Sequence, residues 1–119
     1  MHELSIAQNI LEIVHQYVPA EELENVEFVK VKVGEVAGVV TDSLTFGFEA
    51  ITAGTSLNNA KLAVENIPFK VQCNLCSKIF SNEFGITICP LCNSSNTKIL
   101  SGMELQVTEV LLKENEEEQ

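Results

Sequence analysis

Two Cys-x-x-Cys pairs, Cys73/Cys76 and Cys89/Cys92, stand twelve residues apart in this chain of 119. A two-residue gap lets one tight turn present both sulfurs of a pair to the same ion, and four thiolates complete a tetrahedral Zn²⁺. The spacing therefore points to a structural zinc ribbon made of two facing knuckles. Two redox dithiols or a rubredoxin-like iron could use the same residues. A thioredoxin-type dithiol, however, opens a helix within a βαβ unit, whereas these cysteines sit in short hairpin-like stretches, 71–76 and 88–93.

Committing all four cysteines to one cluster leaves none for disulfides, which agrees with a reducing compartment. No basic segment leads into an apolar run, and no apolar run is long enough to span a bilayer, so the sequence reads as cytoplasmic. The length and a hydrophobic content of 45% suit one domain carrying a small stapled module. The net charge is −10, and four thiolates (−4) with one dication (+2) take it to −12. Zinc ribbons that touch phosphates carry basic stripes, whereas this chain has seven Lys and no Arg, which argues against nucleic acid. With no Arg and no P-loop, the chain also lacks the means to stabilise a transferring phosphoryl group, so it is expected not to be an NTPase.

Apolar residues at Leu4, Ala7, Ile10, Leu11, Val14 and Val18 recur with a helical period. Ser5 with Gln8 resembles a capping box near the helix start, and Pro19 ends the helix. Residues 26–36 alternate like a half-buried strand, with Val29, Val31 and Val33 on one face and Lys30 and Lys32 on the other. A second helix is expected over 43–53, capped by Thr41 or Asp42 and closed by Gly54. Further strands are expected over 61–71, interrupted by Pro68 as at an edge or an exit toward the zinc module, and over 103–111, where Met103, Leu105 and Val107 alternate with Glu104, Gln106 and Thr108. The fold class is thus α+β: a small mixed three-stranded sheet with two helices and an inserted four-cysteine zinc ribbon. The division expected is 1–70 with 102–112 as one domain, 71–101 as the ribbon, and 113–119 as a disordered acidic tail.

The N-terminus carries a second constellation, Met1-His2-Glu3. Because His2 is large, the initiator methionine and its free amine are expected to persist. That amine and the His2 amide nitrogen close a five-membered chelate ring, and the amide with His2 Nδ1 closes a six-membered one. Three coplanar nitrogens suit Ni(II) or Cu(II), which displace an amide proton and prefer square-planar geometry. The fourth donor stays open among water, the Glu3 carboxylate and a partner's ligand. Any chain starting Met-His has these atoms, and by pattern alone His2 is more often an ordinary exposed residue. His15 lies too far along the helix, at ~1.5 Å per residue, to join it.

The opening MHELSIAQNIL, the stretch FGFEAITAGT at 46–55 and the late cysteine pairs together resemble the HypA/HybF family of nickel-incorporation accessory proteins, nearly throughout the chain up to Leu112. The resemblance implies a non-enzymatic metallochaperone that passes Ni²⁺ toward a [NiFe]-hydrogenase large subunit, working with a HypB-type GTPase and in some bacteria also serving urease maturation. It places nickel at His2, with Met1 and Glu3 as neighbours, and zinc at Cys73, Cys76, Cys89 and Cys92. Asn93 stands where a Gly often follows the last pair, and Asn tolerates the left-handed conformation. No histidine lies in the zinc module, so a Cys-to-His exchange at the zinc has no donor there. Helix 1 and the neighbouring sheet edge are the expected docking face for the GTPase, and the split architecture would permit a domain-swapped dimer. Two other functions fit the residues: an acidic zinc-ribbon adaptor without nickel transfer, and a dithiol redox protein.

Overall fold

The computed structural model describes residues 2–113, and of His2 the backbone alone. The chain is α+β: α1 (His2–Tyr17), a 3-10 helix (Ala20–Asn25), β1 (Val26–Gly34), α2 (Thr41–Thr52), β2 (Lys61–Ile67), β3 (Lys70–Cys73), β4 (Ile79–Ser81), β5 (Thr97–Ser101) and β6 (Leu105–Leu112). Two three-stranded sheets have the orders β2-β1-β6 and β4-β3-β5. The residues divide into two compact units, one of Met1–Val31, Val40–Val64 and Val107–Gln119, the other of Lys32–Val39 and Glu65–Gln106.

In the first unit most of the helical stripe turns inward: Ala7, Ile10, Val14 and Val18 are buried and Leu11 is half-buried, whereas Leu4, near the helix start, is 38% exposed. The helix already begins at His2, so Ser5 and Gln8 lie inside it and form no capping box. Tyr17 ends it, and Pro19 is the cap of the 3-10 helix, which the sequence reading did not anticipate. Helix α2 begins at Thr41 rather than 43, its cap position is Val40, and no side chain caps it. Leu44 and Phe48 are fully buried. Gly47 has only a hydrogen on the side facing α1, where a Cβ would lie 3.7 Å from Leu4 Cδ1 and 3.9 Å from Ala7 Cβ. Thr52 is buried because its hydroxyl donates to the Phe48 carbonyl at 2.8 Å. Gly54 is left-handed, at φ +77°, but the helix has already ended at the extended Ala53, and Gly54 belongs to the turn that the Thr55 N–H closes on Thr52 O at 3.1 Å. Val26, Val29 and Val31 of β1 are buried, and Lys30 points outward to Glu109 at 3.6 Å. The Lys113 amide donates to Asn25 O and the Thr108 hydroxyl to Lys30 O, so β1 and β6 run antiparallel. Lys113 is thus held to Asn25 just beyond the end of β6, while the rest of the expected tail lies outside the described residues.

In the second unit, the strand expected over 61–71 is broken by Pro68 into β2 and β3, which belong to different sheets. Strand β3 pairs antiparallel with β4 (Val71 opposite Phe80) and with β5 (Val71 opposite Ile99). Phe69, Val71, Cys73, Phe80 and Cys89 form the core, with Val36 against it. The alternation expected from Met103 onward does not hold: Met103 is 58% and Leu105 42% exposed, and the strand starts only at Leu105. Gly102 causes this, because at φ +109° it turns the chain while its N–H bonds the Glu104 carboxylate at 2.8 Å. The Glu35 carboxylate accepts the Phe69 N–H at 2.9 Å, and the Val36 N–H donates to Gly102 O at 2.9 Å.

A Cβ on Gly34 would collide with the Gly102 carbonyl, and one on Gly102 with the Phe69 backbone. Gly38, at φ +81°, has open space around it. Gly102→Ala should therefore cost about 3 kcal/mol or more, from strain and overpacking together. Gly38→Ala should cost only about 1 kcal/mol, for the left-handed backbone alone. Urea unfolding of the two variants checks the difference, and equal midpoints would refute it.

Candidate metal centre

Each Cys-x-x-Cys stretch folds as a knuckle because its backbone turns back on the first cysteine. In the first, the Cys73 N–H donates to Lys78 O at 2.9 Å and the Ser77 N–H to Cys73 O at 3.0 Å. In the second, the Cys89 N–H donates to Ser94 O at 2.9 Å and the Asn93 N–H to Cys89 O at 2.8 Å. The offsets are identical in the two. Closing such a turn requires a left-handed residue after the second cysteine, and Ser77 (φ 67°) and Asn93 (φ 61°) are the two positive-φ residues other than glycine among the described residues. Asn93 fits the expectation. Ser77 was missed, and the only available signal was its matching place in the repeat. Asn74 ties the first knuckle to the segment after the second, its side chain donating to Asn96 Oδ1 at 3.0 Å and its amide to Asn96 O at 2.9 Å.

The four sulfurs all lie within 4.8 Å of one another, with Cys73 to Cys92 and Cys76 to Cys89 both at 3.6 Å. Sulfurs ~2.3 Å from a tetrahedral ion stand roughly 3.8 Å apart, so the cluster has the size of a four-thiolate metal site. Each pair contributes one buried sulfur residue, Cys73 or Cys89, and one exposed, Cys76 or Cys92. The Leu75 and Cys76 amides donate to Cys73 Sγ at 3.4 and 3.5 Å, which favours a thiolate there.

The thiols do not share one ionisation. The Cys76 N–H leads in drawing the Cys73 thiol down to about 7, against its burial. Burial opposes ionisation of Cys89, but the Cys92 and Leu91 amides prevail and lower it. The Lys78 amide favours a Cys76 thiolate, yet burial and the Cys89 and Cys73 sulfurs outweigh it and raise that thiol. The Ser94 amide likewise favours ionisation of Cys92, but the neighbouring sulfurs and burial push it up to about 12. Four thiolates this close repel one another, and a dication removes the conflict.

Elsewhere the structure places Glu3 in the first turn of α1, its carboxylate accepting the Val40 N–H at 3.2 Å at the cap of α2. Met1 and the His2 side chain lie outside the described residues. His15 is exposed in the last turn of α1.

Protonation fixes how metal binding should respond to pH. Near neutrality the metal-free protein keeps protons on Cys76 and Cys92, because both thiols are raised. Metal binding must displace them, so affinity falls as pH falls. The two protons on Cys76 and Cys92 alone correspond to a loss of at least about a hundredfold per pH unit, steepening below 7 where Cys73 also holds a proton. Competition titrations with Co²⁺, followed through its thiolate charge-transfer absorption between pH 8 and 6, check this. A loss of tenfold per unit or less would contradict it.

A family model described as "Hydrogenase/urease nickel incorporation, metallochaperone, hypA" matches residues 1–112. The hydrogenase maturation factor HypA of Geobacter sulfurreducens is 36% identical over 110 residues, covering 92% of this chain and 97% of that protein. That of Streptomyces avermitilis is 39% identical over 112 residues, covering 92% and 86%. The fold is similar to a solution structure of HypA protein, with a TM-score of 0.66 at 22% identity over 94% of this chain and 96% of that one. It is also similar to the solution structure of the Ni metallochaperone HypA from Helicobacter pylori, with a TM-score of 0.63 at 20% identity over 95% and 98%. With the match running from the first residue to the end of β6, this chain belongs to the HypA family of hydrogenase/urease nickel-incorporation metallochaperones, a family of metal carriers and not of enzymes.

Proposed function

We propose that this chain captures Ni(II) at its N-terminus and, with a HypB-type GTPase, delivers it in the cytoplasm to a [NiFe]-hydrogenase large subunit, with urease as a further client in the same chemistry. The observation that supports this most directly is where α1 begins. A helix that starts at His2 leaves the N–H groups of its first turn without intrahelical partners, and the His2 amide is among them. That amide can give up its proton to a metal without breaking a helical hydrogen bond. The Met1 amine and His2 Nδ1 supply the flanking nitrogens. Glu3 acts as their neighbour, with its carboxylate turned to Val40. An anionic amide also offsets metal charge at the positive end of the helix dipole, where a cation is otherwise disfavoured.

Zn²⁺ is the proposed occupant of Cys73, Cys76, Cys89 and Cys92, saturated by four thiolates and therefore structural. We assign residues 71–101 as the module it organises, between the two parts of a nickel-binding domain at 1–70 and 102–112. Formation of such a site can contribute on the order of 10 kcal/mol. Cys89→Ser should accordingly abolish stoichiometric zinc and collapse amide-exchange protection across 71–101 while β1 keeps its protection. Unchanged protection in that module would count against the assignment.

For nickel, His2→Ala or one residue added before Met1 should abolish binding in equilibrium dialysis and leave zinc content and circular dichroism intact. Chelation releases protons from the amine and the amide, and from the imidazole (reference pKa ~6.5) where it is charged, so nickel should also be lost in mild acid before zinc. Undiminished binding by His2→Ala would move the nickel site elsewhere.

A further inference from the structure

Strand β6 has one strand neighbour, β1, and so stands at an edge of its sheet. Beside it runs a groove of about 450 Å³ lined by Ile13, Tyr17 and Val18 of the α1 region and by Val107 to Val110 and Leu112 of β6. Four consecutive strand residues point alternately to opposite faces, so a cavity that touches all four meets the rim of the strand and not one face of it. The wall opposite is apolar, and Tyr17, 77% exposed, and Leu112, 43% exposed, stand open at the surface. An edge strand beside an apolar groove is the arrangement that accepts an added strand: the main chain pairs with the edge, and alternate side chains enter the groove.

Charge decides what kind of strand fits. The unit that holds β6 has thirteen Asp and Glu against three Lys, net −10, so the whole charge of the chain resides there. Glu109 lies in the groove, paired only at the surface with Lys30, at 3.6 Å with both side chains about half exposed. Such a pair is worth little and leaves the carboxylate free to share a second cation. Glu114, Glu116, Glu117 and Glu118 follow β6 directly in the sequence, offset locally only by Lys113. A second copy of this chain would bring two units of the same strong negative charge together. We propose that the β6 edge and its groove dock an extended segment of a partner protein in which Lys or Arg alternates with Val, Ile or Leu. The inference does not depend on nickel binding, and it specifies the docking chemistry whichever protein carries the segment.

The test uses the full-length, zinc-loaded protein and a blocked ten-residue peptide alternating lysine with valine. Two controls accompany it: the same peptide N-methylated at alternate residues, and one with glutamate for lysine. Saturable binding should shift the amide resonances of 107–112 and slow their exchange. It should weaken with salt and drop roughly fivefold in Glu109→Lys, whose fold the exposed site leaves intact. Neither control should bind measurably. Equal binding of the N-methylated peptide would show attraction without strand addition and overturn the proposal. Shifts confined to other elements would also overturn it, as would exchange protection of 107–112 that grows with protein concentration in the absence of peptide, which would make a second copy the occupant.

Discussion

The second unit depends on four sulfurs meeting at one place. Its main buried cluster is small, Phe69, Val71, Cys73, Phe80 and Cys89 with Val36 beside them, and two of those are themselves members of the sulfur cluster. So few apolar side chains cannot hold three short strands and two knuckles unaided, and small modules of this kind need a staple. The backbone is shaped for one: each knuckle folds its amides toward its own first cysteine, and the left-handed Ser77 and Asn93 complete the two turns in the same way. The geometry at Gly34 and Gly102, where no side chain fits, is a second constraint, and it governs where β6 can begin.

In the first unit the governing contact is that of α1 with α2. Leu44 and Phe48 of α2 are fully buried, and Glu3 of α1 reaches the Val40 amide at the point where α2 starts. An acidic side chain at a helix N-terminus is favourable, since it accepts one of the orphan amides and faces the positive end of the dipole. The first turn of α1 is thereby anchored through Glu3.

Much of this was legible in the residues. The stripe from Ala7 to Val18, the alternation of Val29, Val31 and Val33, and the spacing of the cysteines each report a periodicity that burial enforces, and each reappears in the structure. What was illegible depended on tertiary context. Ser5 and Gln8 match a capping box locally, but the helix is extended past them, to a start tied down by Glu3. The break at Pro68 was legible as an exit toward the zinc module, though not as a change of sheet. Met103 and Leu105 look like an inward face, yet Gly102 delays the strand and leaves them exposed. The strands β4 and β5 are three and five residues long, too short for alternation to declare itself. Neither Met1 nor the His2 side chain is among the described residues, so the N-terminal chelate rests on its chemistry and on the family.

Ten of the fifteen large apolar side chains exposed among the described residues belong to the second unit, Phe84 at 79% and Leu91 at 69% among them. That unit has four Glu and four Lys, so apart from the −2 of a loaded four-thiolate zinc cluster it carries no net charge to keep copies of itself apart. Its colloidal stability is therefore borrowed. Being joined covalently to a segment of charge −10 gives the apolar module the mutual repulsion that it lacks. The acidic half serves as a built-in solubilising tag, and the ribbon can present a greasy surface to other proteins without condensing on itself.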